Sequence, residues 1–461
     1  MLATLKAEAR SSGKEEAGSA KKNCYERSII MANLTTEFLG FQCKNPVGVS
    51  SCDFGETEWE AGRVIEQGIG WLTGKTIHKI DGPHHWPRPF FYSLKKFGPD
   101  LKDVWVCSQM FSHIPYDEWM SSEGPKIVKK CHDNNVMFIG SIGAAGDDAD
   151  VWSTHMRDMA SIGVDAIELD TGGPHATFGA ELDQLDCGAP QAMDPEKSGK
   201  IIGICSKAVD TPIIFKATPQ CVNQAAVSHA VANAGAAAIT ANNSLYGTWI
   251  DHETGTFYGG PYAVGGLMGR PWQIFSLAKL LETTASLKGF PIIGVGGIFT
   301  WDDCVRYMMA GATVTGLCSA VYSRGVGVLK KAIEGMDAFM DRKGYKSTKD
   351  FYGMVVDDFG YVRDWPREEW MAKKSPILPK IYEDKCTGCG TCETVCPYGA
   401  IAMEDGLPKV NEDVCMGCGW CMGHCPVKDG GAIDMIRTDT GKVVWTGRGV
   451  HDKWVLDYPQ A

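Results

Sequence analysis

Residues 165–190 read DAIELDTGGPHATFGAELDQLDCGAP. The apolar run DAIELDTG stops at Gly172 and Gly173, and a loop rich in acid, imidazole and thiol follows, with His175, Glu181, Asp183, Asp186 and Cys187. Just before it, DMASIGVD has the spacing of an amphipathic helix. A strand entered from a helix and left through a polar loop is the repeating unit of α/β folds, where chemistry sits at strand ends.

Outward from this stretch the unit recurs. Three runs precede it: NPVGVSS (45–51), WLTGKTI (71–77) and NVMFIGSIG (135–143). Four follow it: TPIIFKAT (211–218), AAAITANN (236–243), PIIGVGGI (291–298) and VTGLCSAVY (314–322). Eight strands with amphipathic segments between them, such as AVSHAVANAGA, predict a (β/α)8 TIM barrel over residues 34–340. An open doubly wound sheet is the alternative. No G-x-G-x-x-G joins a first strand to a helix, so no nicotinamide site of that kind is visible. Extra material, IHKIDGPHHWPRPFFYSL, lies between strands two and three, and its His84, His85 and Trp86 read as surface loop.

Charge and composition narrow the function classes. The chain has 461 residues, 44 % hydrophobic, with a formal net charge of −11. An acidic balance without a basic tract argues against nucleic-acid binding. No apolar run is long enough for a membrane span. Residues 1–33 mix Lys, Glu, Gly and Ser without an apolar core and read as a disordered tail. Of 18 cysteines, ten are scattered from Cys24 to Cys318, as expected for reduced thiols in a cytoplasmic protein.

The other eight cysteines form the most specific motif. Residues 386–397 read CTGCGTCETVCP and residues 415–426 read CMGCGWCMGHCP. Each is C-x2-C-x2-C-x3-C-P, the bacterial-type iron–sulfur run in which the fourth cysteine ligates the other cluster. Cys386, Cys389, Cys392 and Cys425 are thus expected on one [4Fe-4S] cluster, and Cys415, Cys418, Cys421 and Cys396 on the second. A pair of structural zinc sites has no use for a third cysteine and a C-P in each run. Residues 381–461 form this ferredoxin-like domain with a C-terminal extension, and 341–380 read as the linker.

At the barrel's strand ends, Lys75 and Lys216 are costly unless they meet negative charge. Two of them at one mouth point to an anionic, electron-rich ligand such as a reduced flavin, which also converts single-electron steps into hydride chemistry. The small residues of GVGGI and of Cys318–Ser319 follow strands seven and eight, where barrels often bind phosphate.

With these pieces in order, the chain resembles the FMN-dependent dihydroorotate and dihydropyrimidine dehydrogenases over roughly residues 34–430. NPVGVSS, GKTI, IELDTGGPH, FKATP, ITANNS, GGLMG, GVGGI and GLCSAVY carry the resemblance, followed by the ferredoxin tail. It implies an FMN phosphate on Gly296, Gly297, Cys318 and Ser319, completed by Gly265 and Gly266. It also implies a flavin ring against Ser50, Ser51 and Thr76, with Lys75, Lys216 and Asn243 around it. The implied reaction moves two hydrogens across a C–C bond beside a carbonyl in a small cyclic substrate. Electrons would pass through the clusters to a ferredoxin or an FAD/NAD(P)H subunit, in a homodimer or larger assembly. With a dihydropyrimidine dehydrogenase-like reaction as the first reading, a reductase of another unsaturated cyclic carbonyl or heteroaromatic compound is the alternative within the enzyme class, and an electron relay without an organic substrate is the alternative class.

The substrate loop departs from the family's N-x-S-C-P. Asp170 stands at the asparagine, and Gly172 and Gly173 replace the serine and cysteine. Gly143-Ala144-Ala145-Gly146 replaces the asparagine expected after strand three, while Asn243 and Ser244 remain after strand six. Asp170, Asn243 and Ser244 are the expected substrate contacts. His175, Cys187 and Asp170 are the candidate proton donors, with Glu181 and Tyr246 behind them.

Overall fold

The computed structural model describes residues 33–79, 89–174, 188–260, 264–360, 375–428 and 431–446. Eight parallel strands form its centre. They are β1 (Val47–Val49), β2 (Trp71–Thr73), β3 (Met137–Gly143) and β4 (Ala166–Leu169). β5 (Ile213–Lys216), β6 (Ala238–Thr240), β7 (Ile292–Val295) and β8 (Val314–Leu317) complete them. Each pairs with the next, and β8 returns to β1 with Thr315, Gly316 and Leu317 opposite Val47, Gly48 and Val49. That last pairing closes a barrel and excludes the open sheet.

The alternation of side chains along each strand builds two apolar layers. Ile167, Leu169, Phe138 and Phe215 face the surrounding helices, where they meet Trp152, Met156 and Ile202. Met137, Ile139, Ala166, Ile214, Ala238 and Ile293 face inward. Each large apolar side chain buried this way contributes about 1.5–3 kcal/mol. Phe38 and Cys43, from the hairpin Thr36–Phe38/Phe41–Cys43, join the inner layer and close that end of the barrel. Trp71 crosses the interior so closely that a Cβ on Gly48 would lie 2.2 Å from its ring.

Helix boundaries follow local chemistry. In Ala149–Ser161, Asp148 accepts from the backbone N–H of Asp150 and Val151 at 2.9 and 3.0 Å. Helix Pro195–Ala208 begins the same way at Asp194, with proline at its first position. The final helix of the barrel, Gly327–Lys343, ends on Gly344 at φ +72°.

Two insertions, after β2 and after β6, meet above the mouth. Phe91–Ser93, Val104–Cys107, Gly265–Gly269 and Leu245–Gly247 form one antiparallel sheet. Toward the C-terminus, Ile377–Ile381, Ile433–Arg437 and Val443–Trp445 form a three-stranded sheet. A hairpin, Ile401–Glu404/Leu407–Val410, lies between the two cysteine runs. Among the described residues no helix is long and apolar enough to cross a membrane.

Candidate active site and electron-transfer centres

Inside the barrel, the inward-facing residues change from apolar to polar as the strands approach their C-terminal ends. Ser141 of β3 sits opposite Glu168 of β4, and Lys216 of β5 opposite Thr240 of β6. Glu168 is 1 % exposed and accepts from Lys216 Nζ at 3.2 Å and Thr240 Oγ1 at 2.6 Å. Ser141 Oγ adds a longer contact at 3.4 Å. A carboxylate buried in a barrel survives only with such partners.

One level higher, Asp170 ties three strand ends together. Its Oδ2 accepts from Thr76 Oγ1 at 2.8 Å, and its Oδ1 accepts from Asn243 Nδ2 at 2.9 Å. Lys216 Nζ lies 3.8 Å from the same Oδ1. Thr76 also touches Ser141 at 2.9 Å and Ser51 at 3.2 Å. Burial works against the Lys216 ammonium, but the carboxylates of Asp170 and Glu168 outweigh it and hold the lysine above its ordinary value. Lys75 follows the same balance, with burial opposed by Asp53 at 3.4 Å. Its Nζ donates to Gln109 Oε1 at 2.9 Å.

These groups face a cleft with an empty volume of about 1220 Å³, open mouth included. Ser50, Ser51, Lys75, Thr76, Asp170, Lys216, Asn243, Ser244, Gly296, Gly297, Cys318 and Ser319 all line it. Gly265 and Gly266 do not. Their strand packs tightly there, with added Cβ atoms only 2.3 Å from Cys107 O and 2.4 Å from Ser244 Oγ, and the lining begins at Leu267. The close approach of this glycine pair to Cys107 and Ser244 makes room for the sheet above the mouth.

The far end of the cleft is a cradle of backbone. Gly297 has φ +68°, and a Cβ there would lie 2.6 Å from Gln273 N. Asn242 donates to Ser276 O and Oγ at 3.2 and 2.9 Å, which leaves its buried Oδ1 without a partner in the protein. Cys318 takes a hydrogen bond from Cys52 that holds its thiol below the ordinary value, while Cys52 is pushed up. A bare backbone cradle, an orphan acceptor and two buried ammonium groups fit FMN: Gly296 and Gly297 would hold its phosphate, Asn242 a hydroxyl, and Lys75 and Lys216 the electron-rich ring.

Toward the C-terminus the cysteines gather in two sets. Cys386, Cys389, Cys392 and Cys425 line one small pocket, and Cys396, Cys415, Cys418 and Cys421 line another. Each set contains the fourth cysteine of the opposite run. Among the described residues no three His, Cys, Asp or Glu side chains converge as they would around one metal ion. Four thiols per pocket, drawn from both C-x2-C-x2-C-x3-C-P runs, are the donor set expected for two [4Fe-4S] clusters.

Residues 33–340 match the dihydroorotate dehydrogenase family.

The chain belongs to that family.

Residues 379–402 and 408–428 match the 4Fe-4S binding domain. The catalytic subunit of dihydroorotate dehydrogenase B (NAD+) from Methanosarcina mazei is 32 % identical over 332 residues, covering 72 % of this chain and 96 % of the relative. Its counterpart from Methanocaldococcus jannaschii is 29 % identical over 329 residues, covering 70 % and 98 %. The NAD-dependent dihydropyrimidine dehydrogenase subunit PreA of Escherichia coli is 25 % identical over 374 residues, covering 80 % and 86 %. Family membership brings FMN to the barrel, and the two cysteine runs bring two [4Fe-4S] clusters. The chain is an oxidoreductase of the CH–CH class.

Of the candidate proton donors, Asp170 lies in the cleft, while His175 and Cys187 fall outside the described residues, as do Glu181, His84 and His85. Tyr246 is 51 % exposed on the sheet above the mouth. Sequence reasoning missed Glu168, Gln109 and Phe111. A glutamate inside an apolar strand was the available signal for Glu168. Gln109 and Phe111 carried none, because they reach the cleft from an insertion.

Proposed function

We propose that the barrel reduces, or in reverse oxidises, a C–C bond next to a carbonyl in a small cyclic compound. In this reading electrons pass between FMN and a partner protein through the two clusters. The carrying observation is the pair of buried lysines, Lys75 and Lys216, at one mouth of a chain that also gathers two four-thiol pockets. Bound FMN would supply hydride transfer. The protein's own residues would neutralise and orient it and exclude water from the reacting face. The resemblance to subunit PreA supports a separate electron-transfer subunit as partner. Every described cysteine is free, which supports a reducing compartment such as the cytoplasm.

Asp170 is a positioning residue in this reading and not the proton donor. Thr76 and Asn243 both donate to it, and Lys216 faces it, so its oxygens are already committed as acceptors. His175 and Cys187, on the segment after β4, remain the proposed donors. The test is anaerobic. Reduced holoenzyme is mixed with uracil, thymine or another unsaturated cyclic carbonyl compound, and flavin absorbance is followed. Rapid return with any of them supports the reading. No return with a broad panel, from protein loaded with FMN and both clusters, leaves only an electron relay.

A further inference from the structure

The substrate side of the cleft shows a different chemistry from an amide-gripping site. Both ends of the Asn243 amide are used inside the protein. Its Nδ2 donates to Asp170 at 2.9 Å, and its Oδ1 accepts from Ser244 N at 2.8 Å and Ser244 Oγ at 3.3 Å. Asp170 has both oxygens engaged as well. The obvious hydrogen-bonding pair at the mouth is therefore bonded mainly to itself, and a second N–H of the Asn243 amide is what it keeps for a ligand.

Opposite this pair, residues 109–113 are pinned on both sides of two apolar side chains. On one side Gln109 Oε1 accepts from Lys75 at 2.9 Å. On the other, Ser112 N donates to Thr76 O at 2.8 Å. Ser112 Oγ and His113 N donate to the buried Glu56 carboxylate at 2.6 and 2.9 Å. Between these anchors Met110 and Phe111 line the cleft. Phe111 rests against His78 with ring centroids 4.7 Å apart. Gly143 makes the space for this pair: a Cβ there would lie 3.3 Å from His78 Cδ2 and 3.5 Å from Phe111 Cε1.

Resting on the flavin-oxidoreductase reading above, we propose that the mouth selects a flat, aromatic or conjugated cyclic carbonyl compound seated against Met110 and Phe111. It selects against a ring recognised through an amide edge. Stacking and apolar burial hold the ring. The wall is preorganised, since Thr76 and Glu56 fix its backbone before any ligand arrives.

The test uses FMN-loaded holoenzyme and three probes. Coumarin is a fused aromatic lactone with a C=C beside its carbonyl, 2-cyclohexenone has the same conjugated unit without the aromatic ring, and uracil offers the amide edge. Dissociation constants come from the perturbation of the oxidised flavin spectrum, with equilibrium dialysis as a flavin-independent check. Coumarin is expected to bind at least about tenfold tighter than uracil, with 2-cyclohexenone between. Phe111→Leu should weaken coumarin about tenfold at unchanged FMN content, whereas Phe111→Tyr, which keeps the ring, should retain it. Uracil binding as tightly as coumarin, no coumarin binding at all, or an unchanged constant in Phe111→Leu overturns the inference. If Phe111→Leu loses FMN, the comparison of coumarin with uracil on the unaltered enzyme decides alone. The two readings fail separately. Coumarin that binds through Phe111, while neither it nor any other compound of the panel reoxidises the reduced flavin, removes the reductase reading and keeps this one. Reoxidation by uracil alone does the reverse.

Discussion

The two sides of the barrel mouth are built on opposite principles. On the cofactor side, charge is buried and fully answered: Lys216 meets Glu168 and Asp170, and Lys75 meets Asp53 and Gln109. Backbone is bared there by Gly296 and Gly297. On the side proposed for the substrate, Asn243 and Asp170 bond to each other and an apolar wall is set by Met110 and Phe111. The first arrangement suits a resident group of constant charge. The second suits a ligand chosen by shape, and it can be rewritten without disturbing the first.

The largest effect should come from the cofactor side. Gly297→Val puts a branched side chain at φ +68° where even a Cβ lies 2.6 Å from Gln273 N. The FMN-to-protein ratio of the purified variant should fall more than about tenfold, since strain and lost space act together. A full complement of FMN would show that the cradle is not where the phosphate rests.

Lys216→Met comes next. It strands Glu168 and Asp170 without their cation, a loss of about 3–5 kcal/mol for a buried pair broken on one side. Thermal unfolding should report it. The pH dependence has a definite sign. Because the folded-state value of Lys216 is raised, its contribution is fully present below the ordinary lysine value near 10.4 and fades as pH rises through the higher folded value. The gap in Tm between wild type and Lys216→Met should therefore hold up to about pH 10 and shrink above it.

Asp170→Asn tests the boundary between the two sides. An amide nitrogen now faces donors, so one of the bonds from Thr76 or Asn243 is lost, costing about 1–2 kcal/mol. The released Asn243 amide should also improve uracil binding several-fold. Stability lost with no gain in uracil affinity would mean that the apolar wall, and not the occupied amide, sets the preference.

The smallest effect concerns thiols. In flavin-stripped protein at pH 8, Cys318 should alkylate fastest among the barrel cysteines, because the Cys52 hydrogen bond holds its thiol down. Burial pushes Cys107, Cys205 and Cys304 up to about 12. Cys52→Ala should slow Cys318 severalfold, and bound FMN should protect it, as read by peptide mass analysis.

The barrel was legible because its signals are local. Each strand is a short apolar run bounded by glycine or polar residues, and all eight runs contain a strand of the barrel. The cysteine runs were legible for the same reason, down to the exchange of Cys396 and Cys425 between the two pockets. The lysines stood out because charge at a strand end demands explanation. What stayed hidden depends on distant pairings. Thr76, Asp170 and Asn243 come from three separate strand ends, so nothing in their neighbours in sequence announces that they share bonds. Phe111 lies in an insertion whose fold is set by Glu56, and Gly265 sits on a strand whose register depends on Cys107.

The antiparallel sheet above the mouth has a consequence for the newly made chain. Its strands come from the insertions after β2 and β6, so Val104–Cys107 has no partner on that edge until Gly265–Gly269 has been synthesised. Gly296 and Gly297 emerge later still. With chains folding from the N-terminus at the ribosome, the early strands wait without a flavin however soon they pair. Ribosome-stalled chains ending before residue 265 should hold none, which makes the cofactor a late arrival.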